Sequence, residues 1–386
     1  MVKFNQPLPL SLYVHYPWCI QKCPYCDFNS HTLKAEIDEA AYIDAMLKQL
    51  ELMLPQIWGR PIKSIFFGGG TPSLISQAGL QRFMSQARAL LGFSPDIEIT
   101  LEANPGTVDY EKFAGFFDAG INRLSMGIQS FANDKLKALG RIHSSEEAKR
   151  AIAAAKNAGF GNFNLDLMFA LPQQSLQQAL EDVEQALEFA PPHLSHYQLT
   201  LEPNTPFYRH PPQLPDDDLA WDMQLACQEL LAKSGYHHYE VSAYAQANKE
   251  SRHNLNYWQF GDYIGLGAGA HGKITMAPEG RIFRTQMPAS PGGYIAEMQT
   301  AEPGRTTWLQ GADVSFEFML NALRLQDGFD LALFEQRTGL SLSLIETTLT
   351  SLQAQQLIAI DNHWLKLTER GRNYLNNVVE AFLPAS

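Results

Sequence analysis

Over its first 200 residues the chain alternates between two textures. Short runs rich in β-branched and aromatic residues recur at SLYVHY (11–16), KSIFFGGG (63–70), DIEITLEANP (96–105), INRLSMGIQS (121–130), NFNLDLMFALP (162–172) and HLSHYQLTLEP (193–203). The segments between them carry helical spacing. In 37–54, Ile43, Leu47, Leu50 and Leu54 stand at steps of four, three and four, the period of one buried helix face. Further helices are expected near 76–91, 109–119, 145–158 and 175–189. Strands alternating with helices predict a parallel sheet with right-handed crossovers. Six units rather than eight favour an α/β fold of incomplete (β/α)6 TIM type. The glycines of FFGGGT, then Glu102, Gln129, Asp166 and Glu202, fall at or near C-terminal strand ends, where such folds keep their chemistry.

After residue 203 the rhythm changes. A Pro-rich loop leads to a helix near 217–234 and a strand expected over HYEVSAYA (238–245). Residues 276–309, rich in Gly, Pro and Thr, read as a connector. The tail gives helices, a short hairpin and a last helix, the layout of a smaller, winged-helix-like α+β domain. The expected division is 1–275 for the barrel with its extension, 276–310 for the connector and 311–386 for the C-terminal domain.

Charge narrows the function. The net −12 disfavours nonspecific attraction to nucleic acid or anionic lipid. The winged-helix-like tail is itself a poor phosphate partner, because residues 311–386 hold five Lys and Arg against nine Asp and Glu. No nucleic-acid partner is expected. The N-terminal stretch lacks the pattern of a secretory signal, and no apolar run approaches the roughly 18 residues of a membrane span. Four cysteines are too few for a disulfide framework. A soluble cytoplasmic protein is expected, free to dock peripherally at the inner membrane.

Three of those cysteines crowd into CIQKCPYC (19–26), spaced C-x3-C-x2-C. Thiolates at this spacing can hold three irons of a four-iron cubane and leave the fourth without a protein ligand. Structural zinc, with His15 or His31 as fourth ligand, and a redox dithiol of Cys23 and Cys26 are the alternatives. The dithiol leaves Cys19 unexplained. Cys227, in the amphipathic stretch DMQLACQELL, reads as a buried small hydrophobe.

CIQKCPYC after the first strand, with a Gly-rich loop after the second, resembles the radical S-adenosylmethionine (SAM) superfamily. YVHYPWC, FFGGGTPS, LEANP, GIQS, NLDLMFALP and GLGAGAHG are similar to its oxygen-independent coproporphyrinogen oxidase (HemN-like) branch, and most similar to the HemW subfamily of heme chaperones. The resemblance implies a 4Fe-4S cluster on Cys19, Cys23 and Cys26, whose open iron chelates SAM. It implies SAM contacts from Tyr13, Tyr25, Gly69, Gly70, Thr71, Glu102, Gln129, Arg141 and Asp166, with weaker matches at Thr200 and His271. Each role has a physical rationale. Glycines let backbone N–H groups approach a carboxylate, Glu102 suits ribose hydroxyls or a sulfonium, and Arg141 can fork onto a carboxylate.

Two stretches distinguish chaperone from oxidase. The oxidases carry a further Cys two positions after the third cluster Cys, and here Phe28 stands there. Cluster assembly should survive this; coproporphyrinogen decarboxylation falls into doubt. RHNLNYW (252–258) resembles the HemW signature whose His is implicated in heme binding, which makes His253 the expected ligand and His193, His196, His237 and His238 its rivals. The resemblance thus implies a heme chaperone serving heme-accepting proteins such as respiratory membrane enzymes, with a homodimer within its range. The alternatives are a radical SAM oxidoreductase acting on a porphyrinogen and a cluster that only senses oxidation.

Overall fold

The computed structural model describes residues 4, 6–33, 37–57, 59–300 and 303–384. All six expected strands form and lie parallel in chain order: β1 Leu10–Tyr16, β2 Ile62–Gly69, β3 Phe93–Ala103, β4 Arg123–Gln129, β5 Phe163–Phe169 and β6 His193–Gln198. The connecting helices are α1 Glu39–Ile57, α2 Gln77–Leu90, α3 Tyr110–Asp118, a short α4 Asn133–Ala138, α5 Ser145–Asn157 and α6 Leu176–Glu188. Capping boxes start two of them, Ser144 with Glu147 and Ser175 with Gln178. Side-chain alternation then sorts each strand. Leu10, Leu12, Val14 and Tyr16 of β1 join the core under the helices, while Ser11, Tyr13 and His15 turn to the concave face. In α1, Ile43, Leu47 and Leu50 are buried as expected. Met53 and Ile57 replace Leu54 on that face, because a 3.6-residue turn drifts off strict four-three-four steps.

Beyond β6 the chain decorates both edges of the sheet. The stretch 238–245 is a hairpin instead of one strand: β7 His237–Glu240 and β8 Ala243–Ala245 run antiparallel. Their bend is held by Ser242, whose N–H and Oγ both donate to Glu240 Oε1. Helices α7 Pro206–Arg209, α8 Asp217–Lys233 and α9 Arg252–Trp258 flank this hairpin in the chain. Then β9 Asp262–Leu266 pairs parallel to β1 on its free side, from Leu10↔Asp262 to Val14↔Leu266. Sequence reading missed it because a strand that opens on Gly and Asp looks like a turn. Asp262 is fully buried there by its ion pairs with Arg60 at 2.8 Å and Lys273 at 2.9 Å.

Strands β10 His271–Met276, β11 Arg281–Gln286 and β12 Arg305–Trp308 follow, with α10 Pro291–Glu297 between the last two. The stretch read as a connector therefore contributes two strands to the sheet and a helix between them. The complete order is β12-β11-β10-β9-β1-β2-β3-β4-β5-β6-β8-β7, an unclosed sheet. Glycine and proline content misled here because these are short, edge-side antiparallel strands with tight turns.

The tail has the expected layout, with helices Gly311–Ala322, Ala332–Thr338 and Glu346–Ala354 and a three-stranded sheet including the hairpin Ile358–Asp361 and Trp364–Leu367. Its core of Phe318, Phe334, Leu349 and Leu365 is continuous with Phe260 and Ile282 of the barrel side. Arg324 Nη2 reaches Glu240 Oε2 at 3.0 Å, joining the tail to β7.

Candidate functional site

The cysteine loop leaves β1 through Pro17 and is tied at its base. Trp18–Cys19 pairs parallel with His31–Thr32. Within the loop Cys26 N–H donates to Cys23 O at 3.2 Å, and Lys22 Nζ donates to Phe28 O at 2.9 Å. Cys19 is buried, Cys23 and Cys26 are half-buried, and all three are free thiols facing one cavity. Burial pushes the Cys19 and Cys26 thiols above their ordinary range, so metal loading has to release protons. Among the described residues no three His, Cys, Asp or Glu side chains converge on a single ion. A cubane does not require that, since each thiolate binds a different iron. His15 is unavailable as a fourth ligand, with Nδ1 on Tyr13 Oη at 2.9 Å and Nε2 on Asn29 O at 2.8 Å.

The cavity measures about 450 Å³ and sits at the C-terminal ends of the parallel strands. Its floor is glycine by necessity. Gly69 has φ +118°, and a Cβ there would meet the His15 ring at 2.7 Å. At Gly70 a Cβ would strike Trp18 O at 2.6 Å. Gly69 N–H donates to Glu102 Oε2 at 3.2 Å. Burial, with the nearby Asp166 charge second, pushes the Glu102 carboxyl up to about 8. Asp166 is likewise raised by burial, while Asn164 Nδ2 at 2.7 Å and Ser125 Oγ at 3.2 Å donate to it.

Gln129 ends β4 at a register shift, with a left-handed backbone, φ 69°. A non-glycine residue in that region stores strain, the kind found where a side chain is aimed at a ligand. Its Oε1 accepts from Tyr197 Oη at 2.9 Å. Arg141 donates through Nη2 to Gly127 O at 2.8 Å and through Nη1 to the Cys23 sulfur at 3.5 Å. Its Nε is buried without a partner among the described residues. Tyr25 lines the same wall, backed by Phe207 with ring centroids 6.3 Å apart. These features fit a cluster with a nucleotide beside it: free thiols on one wall, a glycine cradle, a spare guanidinium donor and two buried carboxyls.

Of the residues expected around SAM, Tyr25, Gly69, Gly70, Thr71, Glu102, Gln129, Arg141 and Asp166 line the cavity. Tyr13 does not; its ring lies alongside Phe66 and its hydroxyl is spent on His15. Thr200 is on the wall, whereas His271 is not. Phe28 stands at the cavity edge, 59% exposed. Sequence reading passed over Ser125, Ser195 and Tyr197, although the alternation of β4 and β6 aims all three inward.

His253, the residue expected to bind heme, lies inside the fold. It sits in α9, only 1% exposed, on the concave face of the sheet. Nδ1 bonds Ser64 Oγ at 3.0 Å, Nε2 bonds Tyr257 Oη at 3.3 Å, and the ring stacks on Phe66. Burial lowers its pKa to about 3. Both ring nitrogens of His253 are thus hydrogen-bonded within the fold. His193 is the same, bonded to Asn164 and Tyr239, and His196 is buried against Phe169. The motif also closes the cavity, because Asn254 and Trp258 form part of its wall.

Residues 13–188 match the radical SAM superfamily, and residues 309–374 match the HemN C-terminal domain. The heme chaperone HemW of Escherichia coli (strain K12) is 48% identical over 375 residues, covering 97% of this chain and 98% of that protein. The heme chaperone HemW of Bacillus subtilis (strain 168) is 34% identical over 382 residues, covering 97% of this chain and 99% of its own length. Among solved structures, coproporphyrinogen III oxidase (HemN) from Escherichia coli, described as a radical SAM enzyme, superposes with a TM-score of 0.82. That likeness is one of fold, at 23% identity over 97% of this chain and 90% of the other.

Proposed function

Since the chain belongs to the HemW family of heme chaperones, within the radical SAM superfamily, we propose that it binds heme and delivers it to acceptor hemoproteins. It carries a 4Fe-4S cluster and SAM. Cys19, Cys23 and Cys26 would hold the cluster, which when bound would supply SAM with an open metal position and an electron. The amides after β2 receive the SAM carboxylate beside the Gly69–Gly70 cradle. Glu102 faces the ribose, and Tyr25 packs by the adenine. Asp166 and Gln129 hold polar edges through the Ser125, Asn164 and Tyr197 bonds.

One observation favours this reading over an oxidase: Phe28 stands at the cavity edge where the oxidases carry a further cysteine. The cavity, about 450 Å³ and walled in part by Asn254 and Trp258, suits a nucleotide beside the cluster. The acceptors that suit such a carrier are respiratory membrane enzymes, approached peripherally from the cytoplasm. No helix among the described residues is long and apolar enough to cross a membrane. A homodimer is compatible with this role.

The test puts two readouts on one anaerobically reconstituted sample: transfer of hemin to an apo-hemoprotein, and consumption of coproporphyrinogen III with SAM and reductant. Transfer without turnover is expected. Catalytic turnover of the porphyrinogen makes the protein an oxidase instead.

A further inference from the structure

A buried line of hydrogen bonds runs from the N-cap of α9 to the wall of the nucleotide cavity. Ser251 N–H donates to Tyr239 Oη at 3.3 Å. Tyr239 Oη meets His193 Nε2 at 2.8 Å, and His193 Nδ1 meets Asn164 Oδ1 at 2.7 Å. Asn164 Nδ2 donates to Asp166 Oδ1 at 2.7 Å, and Asp166 lines the cavity. Ser251, Tyr239, His193 and Asn164 are all buried. Strand register builds the line: Asn164 of β5 pairs with His193 of β6, and Asp166, on the same face, pairs with Ser195.

The two ends fix its direction, since a backbone N–H only donates and a carboxylate only accepts. With Ser251 donating to its oxygen, Tyr239 gives its own proton to His193 Nε2, so the imidazole carries its hydrogen on Nδ1. Nδ1–H then donates to Asn164 Oδ1, which also accepts from Ser195 Oγ at 3.1 Å. The Asn164 amide hydrogens are left for Asp166 and for Ser125 Oγ at 2.8 Å. Every donor and acceptor position of Asn164 is thereby filled, and turning the amide over would set its oxygen against the Asp166 carboxylate. Burial, with the Arg123 charge second, holds His193 well below the ordinary histidine range, so the ring stays neutral with one donor and one acceptor. Asn164 Nδ2 and Ser125 Oγ each engage one oxygen of Asp166, whose remaining lone pairs serve the cavity.

We propose that His193 is a positioning residue for the nucleotide: its Nδ1–H locks the Asn164 amide, which holds the Asp166 carboxylate toward SAM. His193 is not on the cavity wall and acts through Asn164. The inference rests on the SAM-binding reading of the cavity. It also ties α9 to the nucleotide wall, because Ser251 Oγ accepts from Asn254 N–H at 3.3 Å and Asn254 lines the same cavity.

Equilibrium dialysis of SAM against the full-length, anaerobically reconstituted protein tests it by comparing His193→Asn with His193→Gln. Both variants remove the ring, but the Asn amide N–H falls near the Nδ1 position and the Gln amide N–H near Nε2. His193→Asn should stay within about threefold of wild-type affinity, and His193→Gln should bind about tenfold more weakly, the scale of one lost hydrogen bond. Asn164→Asp, of the same size, removes the donor to Asp166 and should match His193→Gln, which keeps the test decisive if the Gln variant does not fold. An Asn variant that binds no better than the Gln variant shows a packing role alone and overturns the assignment. Wild-type affinity in His193→Gln or in Asn164→Asp overturns it too. If the wild-type protein itself binds no SAM, the cofactor reading fails and this inference fails with it.

Discussion

Arg141 grips the cysteine loop from outside it: Nη1 donates to the Cys23 sulfur at 3.5 Å while Nη2 holds Gly127 O at 2.8 Å. A cation hydrogen-bonded to a ligand sulfur stabilises the reduced, more negative cluster. Arg141→Gln should lower the one-electron potential, and a tenfold loss of that preference is about 59 mV. Arg141→Lys should recover part of it. A redox titration followed by electron paramagnetic resonance reads the shift, and an unchanged potential removes this role.

Glu102 should make SAM binding pH-dependent. Its carboxyl is raised to about 8, so at neutral pH the folded protein without nucleotide holds a proton there. The contribution to stability is present below the ordinary carboxylate range and is lost as pH rises through about 8. Accepting from ribose hydroxyls, or facing a sulfonium, favours the ionised form. SAM binding should therefore release a proton and tighten from pH 6 to 8. Calorimetry in buffers of different ionisation enthalpy measures the release, and Glu102→Gln should abolish it. Proton-neutral binding by the wild-type protein contradicts this account.

His253→Ala should cost stability. It leaves Tyr257 Oη without its partner and takes one of two partners from Ser64 Oγ, which keeps Ser11 Oγ, a loss of about 1–3 kcal/mol for a buried hydrogen-bonded group. The depressed pKa gives the wild-type protein an acid signature. Stability from neutral His253 is complete above the ordinary histidine range and is lost as pH falls toward about 3. Denaturant melts between pH 7 and 4 should converge for the two proteins. Hemin titration of the same variant reads the expected ligand role separately, and an unchanged affinity and Soret spectrum would rule it out.

Arg324 and Glu240 should govern how firmly the tail holds the barrel. Glu240 is buried on the cavity wall, and the Arg324 guanidinium also lies 4.2 Å from the Trp258 ring. Arg324→Ala leaves that carboxylate short of its cation, at a cost of roughly 1–3 kcal/mol given the partly exposed arginine. Hydrogen exchange should quicken across residues 311–380, and SAM should dissociate faster. Exchange confined to the substituted helix would show that the tail is held elsewhere.

The parallel strands, their helices and the cavity wall were legible in the sequence because each is local: a two-residue alternation, a 3.6-residue stripe, polar residues at strand ends. Eight of the nine residues expected around SAM line one cavity for that reason. Tyr13 lies off that cavity because strand alternation tells which face a residue takes but not how deep it lies. The burial of His253 was not legible because a motif states residue types and not surroundings: Ser64 and Glu98, which enclose it, come from strands far away in the chain. β9 was hidden since its Asp262 is intelligible only beside Arg60 and Lys273.

The pairing of β9 with β1 bears on how the polypeptide matures. As it leaves the ribosome, β1 keeps a bare hydrogen-bonding edge until residue 266 emerges, and such edges are sticky. The thiols that follow β1 are thus translated early onto a half-built support. Iron insertion then belongs after synthesis, on a finished sheet, and a truncation before residue 262 should yield aggregates and not a smaller working protein.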